Sequence, residues 1–263
     1  HPLVRTALVA LALSASPSAL LAQGDEAFDA FVSPQDPPAF DSQAAAGDAF
    51  KDTLAKDDFH GVARLLALDA ARLRAEDGIM DTYKDIRENA EKAIHVEPSG
   101  DDRAILELGA KLWPLPFPVV KGDDGKWSFD TFAGLEEVVN RRIGENELQA
   151  IATMRAFVEA ENDYADADRD GDGVLEFAQN LISSEGTRDG LYWPAAPGEE
   201  ASPAGNLDQG ELDDAKKGEG YFGYKFRILK GQGDQIAGGA YDYVINGNMI
   251  AGFALLAWPA KYA

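Results

Sequence analysis

Between residues 41 and 93, apolar residues recur every three or four positions, which is the spacing of one helix face. This spacing predicts a helix over DSQAAAGDAFKDTLAKDD with Asp41 as its N-cap, a second in DDFHGVARLLAL, and a third over Ile79–Ala93. DRAILELGA then alternates apolar and polar residues, and PFPVVKGDDGKWSFDT predicts a hairpin that turns at Gly122–Gly125. Helices followed by a curled antiparallel sheet predict an α+β domain of cystatin-like type over residues 41–133.

The second half of the chain starts with a long helical pattern. A short helix is predicted over Gly134–Arg142, and Gly144 is expected to interrupt it before a longer helix over Glu145–Ala165. Six apolar residues lie near one face of that longer helix and predict its buried side: Leu148, Ile151, Met154, Phe157, Val158 and Tyr164. A further short helix is predicted over Glu176–Ser183.

An irregular stretch rich in glycine, proline and acids covers Glu185–Gly220, and three strand-like runs close the chain: YFGYKFRIL, GAYDYVIN and GFALLAWPA. One long helix followed by antiparallel strands is the arrangement of a pilin-like globular domain, so we predict a second domain of this type over residues 134–263. A filament subunit is not expected, because Arg141, Arg142 and Glu145 stand where a pilin helix has its apolar start.

The first 22 residues, HPLVRTALVALALSASPSALLA, have the form of a secretory signal peptide. Arg5 supplies a short positive region, Thr6–Leu13 is an apolar run too short to span a bilayer, and cleavage is expected after Ala22. Residues 23–40 contain three prolines and predict an extended leader. No later segment has 18 consecutive apolar residues, so we expect a periplasmic or secreted protein with no stable membrane insertion after cleavage.

Charge and cysteine content narrow the function further. The chain carries 46 acidic residues against 24 Lys and Arg, a formal charge of −22, which repels nucleic acid and anionic membranes and attracts cations. It contains no cysteine, so disulfides, thiol catalysis, cysteine metal sites and a lipoprotein anchor are excluded. With 45% hydrophobic and 10% aromatic residues, the chain has enough apolar material for real cores.

Several phrases together resemble a known family: WPLPFPVVK, GKWSFDTFAGLEEVVNRRIGENEL, DYADADRDGDGVLEFAQ, DGLYWPAAPGE, GYKFRIL and GGAYDYVINGNMIAGFALLAWPAKY. They are similar to the exported bacterial family catalogued as domain of unknown function twenty-nine fifty, from about Ala45 to the last residue. The resemblance implies export and a pilin-like C-terminal part, and it implies no particular activity. It also implies one more strand pair past Ala263. We therefore expect a truncated chain, which begins with His1 rather than methionine, and an uncovered edge in its last sheet.

The segment DADRDGDGVLEF combines five acids with two glycines and predicts an EF-hand-like calcium loop. A twelve-residue loop that starts at Asp168 places Gly173 at position six, where the sharp turn needs glycine. Six residues then stand at the ligand positions: Asp168, Asp170, Asp172, Val174 through its carbonyl, Glu176 and Gln179. A loop that starts at Asp166 matches less well, because it puts Phe177 at position twelve.

Position twelve limits the predicted affinity. Gln179 offers one neutral oxygen where an EF-hand has a bidentate glutamate, so we expect weak binding, with a Kd on the order of 10⁻⁴ to 10⁻³ M. Such calcium would be structural and would hold the angle between two helices. The alternative is that these aspartates and glycines only end the helix in a tight turn, and both interpretations stay open.

Aromatic residues are dense in the second half and could form a platform for sugar rings or peptide. Tyr192 and Trp193, in an irregular segment next to Pro194, are the pair expected to be exposed. Core packing is the alternative, since strand alternation buries about half of such residues. His60 and His95 could act as a base in a hydrolase, but no known nucleophile or phosphate-loop motif accompanies them.

These observations favour a non-enzymatic exported module that acts in envelope interaction or assembly, with an envelope protein or glycan as its partner and weakly bound calcium. The second hypothesis is a carbohydrate or peptidoglycan binder that uses Tyr192 and Trp193. The third is a periplasmic hydrolase built on a carboxylate pair, although 46 acidic residues leave the choice of pair open.

Overall fold

The computed structural model describes residues 30–169, 171–196 and 198–261. It divides into two compact units, of which the first ends at Gly144 and the second begins at Glu145. The sequence predicted the second domain to begin eleven residues earlier, at Gly134. The predicted signal peptide, the first part of the predicted leader and Asp170 of the acidic loop lie outside the described residues.

Within the described residues, the first unit contains four helices, a five-stranded antiparallel sheet and the start of a long helix. The helices are α1 (Gln43–Ala55), α2 (Phe59–Leu65), α3 (Ala70–Ala75) and α4 (Ile79–Lys92). The strands are β1 (Ile94–Pro98), β2 (Arg103–Leu108), β3 (Trp113–Pro114), β4 (Val119–Lys121) and β5 (Trp127–Phe129). The sheet order is β1-β2-β4-β5, and β3 pairs with β2 outside this path.

The first helices begin at polar caps close to the predicted positions. The side chain of Ser42 accepts a hydrogen bond from the N–H of Ala45 (3.1 Å), so Ser42 is the N-cap of α1. The prediction of Asp41 as N-cap was therefore wrong by one residue, and Asp41 instead pairs with Lys126. Asp58 caps α2 in the same way as Ser42 caps α1.

The first unit has a densely buried core between its helices and one face of its sheet. Phe50 and Leu54, one helical turn apart on α1, are fully buried, as are Leu106 and Leu108 of β2. Every second residue of β2 is buried, which confirms the predicted alternation. Phe31, from the predicted leader, is also buried in this core.

The hairpin of β4 and β5 turns at the predicted glycines. The N–H of Gly125 donates to the carbonyl of Gly122 (2.9 Å), and Gly125 has a φ of 77°, a conformation that favours glycine. The side chain of Asp124 accepts a hydrogen bond from the N–H of Lys126 (2.9 Å). This local turn chemistry explains why the hairpin could be predicted from the sequence.

Helix α5 (Thr131–Ala165) runs without a break from the first unit into the second. The prediction of two helices separated at Gly144 was wrong. A glycine inside a helix costs only about 1 kcal/mol relative to alanine and keeps its N–H donor, so the flanking helix formers continue the helix. Gly134 is different, because a Cβ at this position would lie 1.9 Å from Cδ1 of the fully buried Phe117.

The described part of the second unit combines the rest of α5 with one short helix, α6 (Gln209–Lys216), and several pairs of strands. The first strands are β6 (Asn180–Ile182), β7 (Gly190–Tyr192) and β8 (Tyr224–Leu229). The others are β9 (Gly231–Gln232), β10 (Tyr241–Asp242), β11 (Val244–Ile245), β12 (Asn248–Met249) and β13 (Ala254–Pro259). β8 and β13 pair antiparallel over six residues, and β6 and β7 pair parallel.

Two expectations for this unit were wrong. The predicted helix over Glu176–Ser183 does not form, because residues 180–182 extend as β6 and pair with β7. The predicted buried face of the long helix is also mostly exposed: Leu148 exposes 67% of its surface, Ile151 48% and Val158 45%. Phe157 and Tyr164 of the predicted face are buried as expected. The other buried residues of α5 in this unit are two alanines and one acid: Ala150, Ala160 and Glu161.

The observed elements confirm an α+β fold with a long helix and antiparallel sheets. Over the residues that the structure describes, no helix combines the length and the apolar character needed to cross a membrane.

Candidate functional site

The second unit contains an apolar cavity of about 400 Å³. This volume lies within the range of small-molecule sites, roughly 300–1,000 Å³. Its walls are formed by the C-terminal half of α5, by β6 and β7, by α6 and the residues before it, and by the β8–β13 pair. The larger apolar residues of the lining include Phe157, Leu181, Leu191, Leu212, Phe226, Leu255 and Trp258.

Small side chains on α5 leave this space open. Ala156 and Ala160 are one helical turn apart and both line the cavity, Ala160 buried and Ala156 exposed. Thr153 lines it one turn earlier. A larger side chain at position 156 would therefore extend towards the cavity without having to displace a packed core residue.

Many of the large apolar residues around the cavity are incompletely buried. The half-buried ones include Leu181, Tyr221, Tyr224, Phe226, Leu255 and Trp258. Ile182 exposes 50% of its surface. In the core of the first unit, by contrast, Phe50 and Phe117 are 0% exposed. Apolar surface grouped around a concavity and left in contact with water is typical of a binding site.

Lys225 of β8 is the one charged residue among the described residues that line the cavity. It is half-buried, and its ammonium forms no hydrogen bond or ion pair with any described residue. In the strand register Lys225 lies directly opposite Trp258 of β13. Arg227, two residues further along the same face of β8, places its guanidinium 6.0 Å from the centre of the Trp258 ring.

Tyr221 contributes a polar atom to the apolar lining. Its hydroxyl accepts a hydrogen bond from the backbone N–H of Asp208 (3.4 Å). Burial raises the pKa of Tyr221 above its ordinary value of 10.0, so this group is a neutral hydroxyl at physiological pH.

The acidic loop that follows α5 uses its aspartates to hold a tight turn. Asp168 accepts hydrogen bonds from the backbone N–H groups of Gly171 (2.7 Å) and Gly173 (2.9 Å). Asp172 accepts one from the N–H of Val174 (2.8 Å) and another from the side-chain amide of Asn248 (2.6 Å). Asp168 therefore accepts a hydrogen bond from the glycine that stands at position six of the predicted loop.

The last two predicted ligands of the loop point to other partners. Glu176 accepts a hydrogen bond from the backbone N–H of Met249 (2.8 Å). The amide nitrogen of Gln179 donates to the carbonyl of Gly247 (2.6 Å), and its oxygen accepts from the ammonium of Lys230 (3.1 Å). Among the described residues, no three carboxylates or imidazoles converge as metal ligands, and Asp170 is outside that set.

Trp193, expected to be exposed, is 7% exposed, so that expectation was wrong. The guanidinium groups of Arg169 and Arg188 lie 5.6 Å and 5.4 Å from its ring centre, and its indole N–H donates to the backbone carbonyl of Glu200 (3.1 Å). Arg169 also donates to the carboxylate of Glu200 and holds the pKa of that group below its ordinary value. Tyr192 is half-buried, and its hydroxyl accepts from the side-chain amide of Gln209 (3.4 Å).

Glu161 is a buried acid that the sequence analysis did not single out. It is 0% exposed, one carboxylate oxygen accepts from the N–H of Ala178 (2.8 Å), and the other has no hydrogen-bond partner. Burial raises the pKa of Glu161 from 4.5 to about 7. A signal for it existed in the sequence, because Glu161 falls four residues after Phe157 on the face that packs inward.

The cavity itself was also missed. Its aromatic members, such as Tyr221, Phe226 and Trp258, were noted in the sequence as part of a dense aromatic set. The spacing of apolar residues along the sequence did not indicate that Ala156 and Ala160 of α5 would line the same cavity as these aromatic residues.

Comparison with known families agrees with the motifs quoted above. A family model described as "Protein of unknown function (DUF2950)" matches residues 38–263, and the chain therefore belongs to this family. Neither the curated proteins nor the solved structures that were searched gave a match.

Proposed function

We propose that the second unit is a binding module for a ligand with an apolar chain, which it holds in the cavity. The observation that carries this proposal is the cavity of about 400 Å³ with its apolar, half-exposed lining. A ligand that covers this lining removes apolar surface from water, which contributes about 25 cal/mol per Å². Ligand binding therefore gives a physical reason why the protein leaves part of this apolar lining exposed to water.

The lining supports binding rather than catalysis. Among the described residues of the cavity wall there is no carboxylate and no imidazole that could act as a general acid or base. His60 and His95 are exposed and belong to the first unit. Burial of Trp193 leaves little ring surface for a sugar, so we rank a glycan platform at Tyr192 and Trp193 below the cavity.

A pair of alanine variants tests the proposal. Ala156→Phe adds a phenyl ring at an exposed helix position that lines the cavity, whereas Ala152→Phe adds the same ring at an exposed position of α5 outside the lining. A neutral solvent-sensitive dye is titrated into the wild type and both variants, and its fluorescence is followed. We expect saturable binding to the wild type and to Ala152→Phe, and at least tenfold weaker binding to Ala156→Phe.

Two results would contradict this proposal. The first is a wild type that binds no dye. The second is equal dye affinity for the two alanine variants, because the dye would then bind elsewhere. Circular dichroism on both variants checks that each has folded.

We also propose that the module acts outside the cytoplasm, in envelope interaction or assembly. The apolar run that follows Arg5 supports export. The order of one long helix and then antiparallel strands supports a pilin-like analogy for the second unit. Expression in a bacterium with and without residues 1–22 tests export. We expect the full chain in the periplasmic fraction, and its retention in the cytoplasm would contradict the proposal.

Weak structural calcium in the acidic loop is the remaining part of the proposed function. The D-x-D-x-D-G spacing supports it. Since the loop directly follows α5, calcium there would stabilise the end of the helix that carries the cavity wall.

A further inference from the structure

We propose that the ligand of the cavity is a single-chain amphiphile with an anionic head group, such as a fatty acid, and that the ammonium of Lys225 pairs with that head group. This inference rests on the proposed binding function and specifies its ligand.

The pairing of the lysines in the second unit points to Lys225. The ammonium groups of the other four lysines each have a partner on the protein: Lys216 with Asp213 (3.0 Å), Lys217 with Asp214 (2.9 Å), Lys261 with Glu219 (2.8 Å) and Lys230 with Gln179 (3.1 Å). Lys225 has none among the described residues, although the chain carries 46 acidic residues. It is therefore the lysine of this unit that remains available to an external anion.

The surroundings of Lys225 make such a partner favourable. It lies in a wall that is otherwise uncharged over the described residues, and it is half-buried. A ligand that covers this wall would remove the ammonium of Lys225 further from water. A charge that is partly removed from water is costly unless an opposite charge pairs with it. The four-carbon stem of lysine is flexible, which lets the ammonium follow a head group at the cavity wall.

The local charge of the strand pair favours an anion as well. Alternation along β8 and its register with β13 put Lys225, Arg227 and Trp258 on one face of this two-stranded sheet. The guanidinium of Arg227 lies near the Trp258 ring, and Lys225 stands directly opposite Trp258 in the strand register. This is a locally basic patch in a chain whose net charge is −22.

The cavity volume sets the scale of the apolar chain. At the ~30 Å³ that one water-sized group occupies in a liquid, 400 Å³ accommodates roughly a dozen such groups. A methylene group is of comparable size, so a chain of about ten to twelve carbons matches the cavity. Lysine presents a point charge rather than the planar fork of arginine, which suits a head group with a single negative charge.

Three probes with the same chain length test the inference: dodecanoate, dodecanol and dodecyltrimethylammonium. Each displaces the neutral dye from the wild type, from Lys225→Met, from Lys225→Glu and from Lys111→Glu, all below the micelle concentration. Lys111 is exposed in the first unit, so Lys111→Glu is a control for the same change in net charge. We expect dodecanoate to bind the wild type and Lys111→Glu about tenfold more tightly than dodecanol does.

The variants of Lys225 decide between charge pairing and apolar burial. We expect Lys225→Met to bind dodecanoate and dodecanol equally, and Lys225→Glu to prefer the trimethylammonium probe. A wild type that binds the acid and the alcohol equally would overturn the inference, as would an anion preference that survives in Lys225→Met. In both cases dye binding and the Ala156→Phe effect would persist. Loss of all dye binding in the wild type would instead contradict the proposed function itself.

Discussion

The buried carboxyl of Glu161 makes the stability of the protein depend on pH in a window where exposed acids do not titrate. An exposed or unfolded glutamate ionises near 4.5, whereas burial raises the pKa of Glu161 to about 7 in the folded chain. Between these two values the folded protein holds a proton that the unfolded chain has released. Stability therefore falls as pH rises from about 4.5 to about 7 and stays low above it.

The magnitude follows from the two pKa values. At 1.36 kcal/mol per pKa unit, the difference between 4.5 and about 7 corresponds to an upper limit of roughly 3 kcal/mol. Glu161→Gln removes the charge and keeps an oxygen that can accept the N–H of Ala178. We expect the variant to match the wild type near pH 5 and to be more stable by up to about 3 kcal/mol at pH 8.

We would measure thermal and urea unfolding of the wild type and of Glu161→Gln from pH 5 to pH 8. These measurements give the difference between the two proteins in the free energy of unfolding. Subtracting the wild-type curve cancels the other titrating groups. Glu159→Gln, at an exposed position on the same helix, is the matched control for the loss of one carboxyl group. A Glu161→Gln difference that does not change with pH would contradict this prediction, because the carboxyl of Glu161 would then ionise in the folded chain without a burial cost.

Three further predictions concern packing and the acidic loop. Gly134→Ala should lower the melting temperature, because its methyl group would lie 1.9 Å from Phe117 and overpacking costs about 1–3 kcal/mol. Gly144→Ala should raise the melting temperature, because its methyl group meets nothing within 4 Å, and the reverse order of the two variants would contradict the packing described. Arg169→Met should lower the free energy of unfolding in urea by about 2 kcal/mol, because it removes a charged donor whose side chain is only 6% exposed. An unchanged urea midpoint would show that the bonds of Arg169 to Glu200 and to the carbonyl of Tyr164 contribute nothing to stability. Calcium at ten times its Kd should stabilise the wild type by about 1.4 kcal/mol relative to the protein in chelator, and it should leave the stability of Asp168→Asn unchanged. If millimolar calcium does not shift the melting temperature of the wild type, the loop binds no structural calcium.

The elements that could be predicted from sequence are those whose signals are local. The Gly122–Gly125 hairpin, the alternation of β2 and the helix α4 all depend on residues within a few positions of each other. Turn chemistry and hydrophobic periodicity act at this range, so the α+β class of the first unit followed from them.

The elements that could not be predicted depend on distant pairing. Residues 180–182 form a strand because β7 pairs with them, and their own pattern favoured a helix. On α5, Leu148 and Ile151 were expected on the buried face together with Phe157, but the helix buries Phe157 together with Ala160 and leaves Leu148 and Ile151 exposed. The cavity arises in the same way, since its size depends on which small side chains face β8 and β13 across the unit.

The most direct test of the central claim is a crystal structure of the protein with 12-bromododecanoate, in which the anomalous signal locates the bromine. We expect a bromine peak among Phe157, Ala160 and Leu191, and a carboxylate oxygen about 3 Å from the ammonium of Lys225. A bromine peak on the exposed face of α5 at Leu148 and Ile151, or an empty cavity at saturating ligand, would contradict this expectation.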